Sequence, residues 1–453
     1  MLNQLYEVLT EYGPVHEVWF DGAHPKRKGG QKYIKEEWFK MIRQLQPGAV
    51  IFAPAGPDVR WCGNEHGGTR KTEWNIIPSD KAIPFETDRT AQDLGSDKVL
   101  TSLEYRDPYS GHRFQSNYLN YVISEVDTSI RHGWFWRNDN EQHVRGVDEM
   151  FDIYERSVGT GTVFLLNVPP NKYGKFSPRD VKCMTEVGKR IKATYGKNLV
   201  KGAKASVEKL FDNNIKTYWQ APAQKASFEV ILKKPQLINR IVLQEAISEV
   251  GQRVKKHAVD AKIDGQWQEI ATATTIAYKR ILRFPAVKCQ QLRVRILDTR
   301  VLPAAISSFA AHYYNQPPSA LKMLRAQNGD VSLSPKKGTQ MQIRYTLAGS
   351  EPTAESPLYK AKLNLPKGAF LKARSFAGDL GGPVLSRRLG IARKGWKYST
   401  NSSHKGYEIA KAFDGNPKTF WHSNWSDGSK LPHKVTIELP KTEKITGLSY
   451  LPR

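Results

Sequence analysis

The texture of the chain changes once, near residue 197, and that change limits the fold more than any other feature. Before it, strand-like and helix-like stretches alternate. Residues 2–12 have helical spacing, 15–20 form a short apolar run that leads into Asp21-Gly22, 34–45 are helical again and 49–53 read as a strand. Further on, 133–136 and 162–168 read as strands, and 151–158 and 179–195 as helices. Alternation of this kind predicts an α/β region with a parallel sheet. The βα units are too few to close a barrel of eight, so the sheet is either open or one part of a larger barrel.

After residue 197 short strands and turns take over, and an internal repeat becomes visible. Phe211-Asp212-Asn213-Asn214-Ile215-Lys216-Thr217-Tyr218-Trp219 returns as Phe413-Asp414-Gly415-Asn416-Pro417-Lys418-Thr419-Phe420-Trp421, each followed by a strand pattern that carries a glutamate, Glu229 or Glu438. About 90 residues of β pattern follow the first copy, while the second runs only to Arg453. Residues 316–391, between the copies, form a further β segment with a turn at Ala348-Gly349-Ser350-Glu351-Pro352. The expected organisation is an α/β region over 1–196 and β domains over 197–314, 315–392 and 393–453.

A length of 453 residues suits about three domains, at roughly 100–200 residues each. The net charge of +25 raises the question of nucleic acid. Yet Lys and Arg are spread along the whole chain, and the sequence shows no zinc-finger, RRM or KH pattern. A solvated basic surface is the expectation, and nucleic acid is not an expected partner. Three distant cysteines, Cys62, Cys183 and Cys289, have neither CxxC spacing nor an even count, which argues against a disulfide framework or a zinc site. No apolar run reaches the ~18 residues of a membrane span, and the N-terminal residues have no signal-peptide pattern.

Several carboxylates of the α/β region are placed to do chemistry. Asp21 ends the strand pattern Glu17-Val18-Trp19-Phe20, where a barrel strand presents its side chain to a pocket. The same residues also suit a plain Asp-Gly turn. Glu65 sits in Arg60-Trp61-Cys62-Gly63-Asn64-Glu65-His66-Gly67-Gly68, a polar loop with a Trp and glycines that let backbone approach a ligand. Glu73 and Glu104 are competitors of the same type. Retaining glycosidases need two such groups about 5–5.5 Å apart, one ionised and one carrying a proton. Apolar walls favour the protonated form, and Trp19, Trp61 and Trp74 are available as walls. His66, His112 and His132 lack metal-ligand spacing, so no metal is expected in this region.

The segment at 17–23 resembles the nucleophile strand of glycoside hydrolase family 29 α-L-fucosidases. Trp61-Cys62-Gly63-Asn64-Glu65-His66-Gly67, with Thr72-Glu73-Trp74, resembles the acid/base segment of that family's α-1,3/1,4-selective branch. Gly133-Trp134-Phe135-Trp136 and Phe164-Leu165-Leu166-Asn167-Val168-Pro169-Pro170-Asn171 resemble its late-barrel segments. The resemblance implies a partial (β/α)8 TIM-like barrel followed by β-sandwich and jelly-roll domains. It implies a retaining exo-α-L-fucosidase acting on fucosylated oligosaccharides or glycoconjugates, with Asp21 as nucleophile and Glu65 as general acid/base, Glu73 being the second choice. Trp19 and Trp134 would line the fucose pocket, with Arg60, Trp61 and Asn64 beside it. The front strands of such barrels, which grip the fucose hydroxyls, find no match here, so the isolated chain is expected to be weakly active or inactive. Residues 197–313 and 395–453 resemble discoidin-like (coagulation factor 5/8 type C) modules, and 331–391 the C-terminal domain of chitobiases and hexosaminidases. The first discoidin-like module is expected to prop the barrel, and Trp421 to be core. No cofactor is expected for catalysis. Structural calcium at the loop of Asp414 and Asn416, and at Asp212 and Asn214, is weighed against simple Asx turns. Secretion, to a periplasm or cell surface, is implied in the same way. The reading from a different class is a non-catalytic carbohydrate-binding or adhesion fragment.

Overall fold

The computed structural model describes residues 1–21, 34–53, 56–79, 95–96, 104–106, 113–115, 118–139, 142–300, 302–315, 317–335, 341–377, 380–416, 418–426, 428 and 431–450. The chain divides into two compact units, Met1–Tyr314 and Asn315–Arg453.

Helix α1 (Leu2–Glu11) turns Leu5 and Leu9, one helical turn apart, inward. Strand β1 (Glu17–Trp19) follows. Helix α2 (Lys35–Leu45) buries Trp38, Phe39 and Ile42, and places Glu36 and Glu37 in its first turn and Arg43 in its last, as the helix dipole favours. These faces meet Ala49, Ile51 and Ala53 of the next strand segment in one apolar cluster. Strands β2 (Val50–Ala53) and β3 (Val59–Trp61) lead into two antiparallel ribbons. These pair β4 (Ile76–Ser79) with β7 (Tyr118–Tyr121), and β5 (Glu104–Arg106) with β6 (Arg113–Gln115). Strand β8 (Ile123–Ser129), helix α3 (Val147–Ser157), strand β9 (Val163–Asn167) and helix α4 (Pro178–Tyr195) complete the α/β part.

Among the described residues the main sheet has five strands in the order β1-β2-β3-β8-β9, all parallel. Its register sets Trp19 beside Phe52, Arg60 beside Ser124 and Trp61 beside Glu125. Residues 133–136, expected as a strand, instead form a bent loop. Gly133 takes a left-handed φ of +92°, which ends extended pairing there. Gln142 holds the loop by donating its amide to the carbonyls of His132 and Phe135. Two strands of this sheet were not expected: β3, whose Arg60 and Trp61 were read as loop, and β8, whose sequence Ile-Ser-Glu-Val-Asp-Thr-Ser is almost wholly buried despite two acids.

The β part of the first unit is a seven-stranded antiparallel arrangement. Strands β10 (Lys204–Ala205), β11 (Trp219–Gln220), β12 (Ala226–Glu245), β13 (Val254–Ile263), β14 (Gln266–Ala273), β15 (Arg280–Thr299) and β16 (Ala305–His312) follow the order β11-β16-β12-β15-β13-β14, with β10 on β12. Phe228, Val230 and Leu232 alternate into its core, and Trp219 packs edge-on against Phe228.

This module is fastened to the α/β part by directed bonds. Gln252 clasps the backbone on both sides of Trp74, accepting from Asn75 N at 2.9 Å and donating to Glu73 O at 3.1 Å. Thr274 donates to Lys71 O at 2.8 Å, and Arg240 pairs with Glu155 of α3. Phe151 and Tyr314 pack with ring centroids 4.7 Å apart and planes tilted by 37°.

In the second unit, β17 (Leu321–Arg325), β18 (Asp330–Pro335) and β20 (Leu363–Asn364) form one sheet. Strands β19 (Gln342–Thr346), β21 (Ala369–Ala377), β22 (Leu380–Gly381) and β23 (Leu385–Leu389) form another. Leu321, Val331, Ile343 and Leu371 share the core between them. Strands β24 (Lys397–Thr400) and β25 (Val435–Glu438) pair as a ribbon. The repeated loops match bond for bond. Asp212 accepts from Asn214 N (2.8 Å) and Thr217 Oγ1 (2.5 Å), and Asp414 from Asn416 N (2.7 Å) and Thr419 Oγ1 (2.6 Å). Both are Asx turns. Trp421 is half-buried, its indole donating to Ser402 O, while Trp425 is exposed against His404. Among the described residues no helix is long and apolar enough to cross a membrane.

Candidate active site

The acids and tryptophans of the α/β part gather at the C-terminal ends of the parallel strands. Asp21 lies two residues beyond β1, Glu65 four beyond β3, and Trp134 five beyond β8. Glu65 is exposed, and Trp134 donates its indole N–H to Glu65 Oε2 at 3.3 Å. Thr128, near the end of β8, donates to Glu65 O at 2.7 Å and ties the loop to that strand. Gly67 shapes the same loop. Its φ is +78°, and a Cβ there would meet Ile153 Cγ2 at 2.9 Å.

Two further carboxylates, not anticipated from the sequence, project from β8. Trp61 donates its indole to Asp127 Oδ1 at 2.7 Å, and Trp19 donates to Glu125 Oε1 at 3.0 Å. Trp19 also lies flat on Phe52, with centroids 4.5 Å apart at 4°. β1 and β8 are three strand spacings apart in the sheet, about 14 Å if it were flat. Contact between their side chains therefore requires the sheet to curl, with this face inside the curve. The site is the concave side of a half-barrel.

Burial, and after it the Glu17 charge, pushes the Glu125 carboxyl up to about 8. Glu17 is itself raised by burial, with Glu125 beside it pulling the other way. Asp127 is raised by burial, against the pull of the Trp61 indole, and the charges of Glu65 and Asp21 both add to the rise. Asp127 therefore feels both of the acids expected to act.

Three expected neighbours of the pocket are turned to other work. Arg60 is fully buried, its Nη2 donating to Glu73 Oε1 at 2.5 Å and Trp74 O at 2.8 Å. Asn64 spends both side-chain groups on its own loop, donating to Gly68 O at 3.0 Å and accepting from His66 N at 3.2 Å. Trp74 is fully covered and walls no surface. Glu73, the second choice for proton donor, is also fully buried, bridging Arg60 and Arg70 at 2.5 and 2.9 Å. The side chain of Glu104, together with Gly22, Ala23 and His112, lies outside the described residues. Among the described residues no group of three or more His, Cys, Asp or Glu could hold a metal ion.

Fold and site together define an α/β half-barrel with acids and tryptophans at its strand ends. The alpha-L-fucosidase family model matches residues 1–196, the F5/8 type C domain 193–309 and 397–453, and the chitobiase/beta-hexosaminidase C-terminal domain 325–383. The chain belongs to the alpha-L-fucosidase family, glycoside hydrolase family 29. Alpha-L-fucosidase 1 of Arabidopsis thaliana is 31% identical over 320 residues, 67% of this chain and 59% of that protein. The chain thus spans under three fifths of this curated relative. The solved structure of SpGH29 is 30% identical with a TM-score of 0.58, covering 69% of this chain and 68% of that one. A family 29 fucosidase of Ruminococcus gnavus, solved in complex with fucose, is 26% identical with a TM-score of 0.57, covering 69% and 64%.

Proposed function

We propose that the chain carries the catalytic acids of a retaining exo-α-L-fucosidase, a glycoside hydrolase that removes terminal α-1,3- or α-1,4-linked fucose from glycans by double displacement. Asp21 attacks the anomeric carbon while Glu65 gives its proton to the departing glycosidic oxygen. Glu65 then takes a proton from water as that water releases fucose from the Asp21 ester. Trp19, Trp61 and Trp134 wall the sugar. The observation that carries this reading is the hydrogen bond from Trp134 to Glu65, at the end of the sheet where Asp21 also lies.

The partners are fucosylated oligosaccharides or glycoconjugates, met outside the cell or in a periplasm. The Asp212 and Asp414 loops are read as Asx turns; structural calcium there, with no part in the reaction, is the alternative that melting in EDTA tests.

The test is turnover of an aryl α-L-fucoside by this chain, with Asp21→Ala and Glu65→Gln beside it. Asp21→Ala should remove turnover, and azide should restore it through a fucosyl azide product. Residual turnover indifferent to both substitutions refutes the assignment. Glycan retention without any turnover favours the non-catalytic binding reading.

A further inference from the structure

Strand β8 poses a problem that the proposed reaction leaves unsolved. It alternates, so Glu125 and Asp127 share one face, and both are almost fully buried, at 0% and 5% exposure. Two bare carboxylates on one buried face are costly without compensating partners. Among the described residues no Lys, Arg or His pairs with either. The compensation comes from elsewhere. Each takes one indole N–H, Glu125 from Trp19 and Asp127 from Trp61. The other Glu125 oxygen, Oε2, and Glu17 Oε1 are both buried without a hydrogen-bond partner, and the two carboxyls lie near enough to shift each other. Two such oxygens can satisfy each other only when one of them carries a proton.

We propose that Glu125 and Asp127 are positioning residues of the candidate active site, each fixing one tryptophan of the sugar-facing wall, and that Glu125 does so as half of a proton-sharing pair with Glu17. The inference rests on the fucosidase reading only in taking those tryptophans as pocket walls. The geometry gives each carboxylate a separate task. Trp19 stands at the end of β1, 38% exposed, its ring held flat by Phe52 and its in-plane rotation stopped by Glu125. Trp61 faces Glu125 across the register of β3 and β8, yet bonds to the next acid on that face, Asp127. The indole therefore leans toward the strand ends, where Glu65 and Asp21 lie. An indole fixed in its plane presents a flat, rigid face at little entropic cost on binding, as a sugar ring requires.

The charged groups facing this pair are few. Glu17 faces Glu125 from β1, Asp127 lies on the same strand, and Asp127 in turn feels Glu65 and Asp21. Raising the pH strips the shared proton from the Glu17–Glu125 pair and strengthens Glu125 as an acceptor for Trp19.

The experiment is ¹⁵N-indole NMR of the full chain, with Trp19→Phe and Trp61→Phe to assign the two resonances. In the wild type the Trp19 resonance should move as the pH is raised from about 6 to about 10, while that of buried Trp74 stays fixed. Glu125→Gln should abolish the Trp19 titration and leave Trp61 in place, and Asp127→Asn should displace Trp61 alone. A Trp19 resonance flat with pH in the wild type overturns the proposal, whether or not the Glu125 variant folds. So does a titration unchanged in folded Glu125→Gln. The two readings fail separately. The indole pattern without any fucoside cleavage removes the proposed activity and leaves the positioning. Cleavage by both carboxylate variants at wild-type KM removes the positioning and leaves the activity.

Discussion

Glu155 is the charge on which the α/β part and the first β module meet, and Glu155→Gln isolates its contribution. Its carboxylate accepts from Arg240 Nε at 2.6 Å and Nη2 at 3.2 Å, from the Tyr195 hydroxyl at 2.6 Å and from Arg283 Nη1 at 3.4 Å. Glu155 and Arg240 are 3% and 8% exposed. Removing one member of a buried pair strands the other and costs ~3–5 kcal/mol. Three features pull this case to the low end. The Arg283 side chain is 40% exposed and keeps Asp152 at 2.6 Å, so it adds little. Arg240 keeps the Asn239 carbonyl at 2.9 Å and the Tyr314 ring at 5.0 Å. The glutamine carbonyl still accepts one bond. The expected loss is about 3 kcal/mol, on the order of 5–10 °C in Tm for a unit of this size. The assay is thermal and urea unfolding, by tryptophan fluorescence and circular dichroism, of wild type, Glu155→Gln, Arg240→Met and the double variant. The double should lose clearly less than the two singles added, because it strands no charge. Singles within about 0.5 kcal/mol of wild type, or singles that simply add, would refute this account of how the module is held.

Three more outcomes follow from the same structure. Glu73→Gln strands fully buried Arg60 and should cost about 3 kcal/mol, with turnover per folded molecule nearly unchanged; lost turnover at an unchanged Tm would restore Glu73 as the proton donor. Glu245 accepts from the backbone N–H of Arg253, Val254 and Ala277, yet burial outweighs them and pushes its carboxyl up to about 7. The folded chain then binds more protons than the unfolded one above about pH 4.5. This group's contribution is full below that pH and falls away, by roughly 3 kcal/mol, as the pH rises through about 7; Glu245→Gln should flatten that slope in pH-dependent melts. The Asp212 and Asp414 carboxylates are held by their own loops, so EDTA should leave the melting temperature unchanged, and a fall on EDTA that calcium reverses would place an ion there.

Much of the architecture was legible because it rests on apolar periodicity. The faces of α1 and α2, the run at 49–53 and the change of texture near 197 all reflect packing, and packing is what hydrophobic spacing reports. Asp21 and Glu65 drew attention for another reason, since an acid after a strand, or among glycines, stands out locally. Asn64 and Arg60 bond within the protein, since sequence neighbours of a candidate pocket residue need not face the pocket. A strand turns alternate side chains to opposite faces, so Arg60 points away from the side that takes Trp61.

The illegible part has a single physical cause. Strand β8 carries Glu125 and Asp127 where a buried parallel strand usually carries Val or Ile, and β3 carries Arg60, so neither reads as a strand. At 133–136 the error is reversed: two tryptophans and a phenylalanine suggest a strand, but Gly133 turns the chain and Trp134 serves Glu65 instead. In each case residues that break the apolar pattern lie at or beside the hollow, where polar groups are buried for what they hold rather than for how they pack. A pattern search tuned to cores passes over such strands. The partners that make them tolerable, an indole for each acid on β8 and a glutamate for Arg60, lie 13 to 106 residues away along the chain and meet only when the sheet curls.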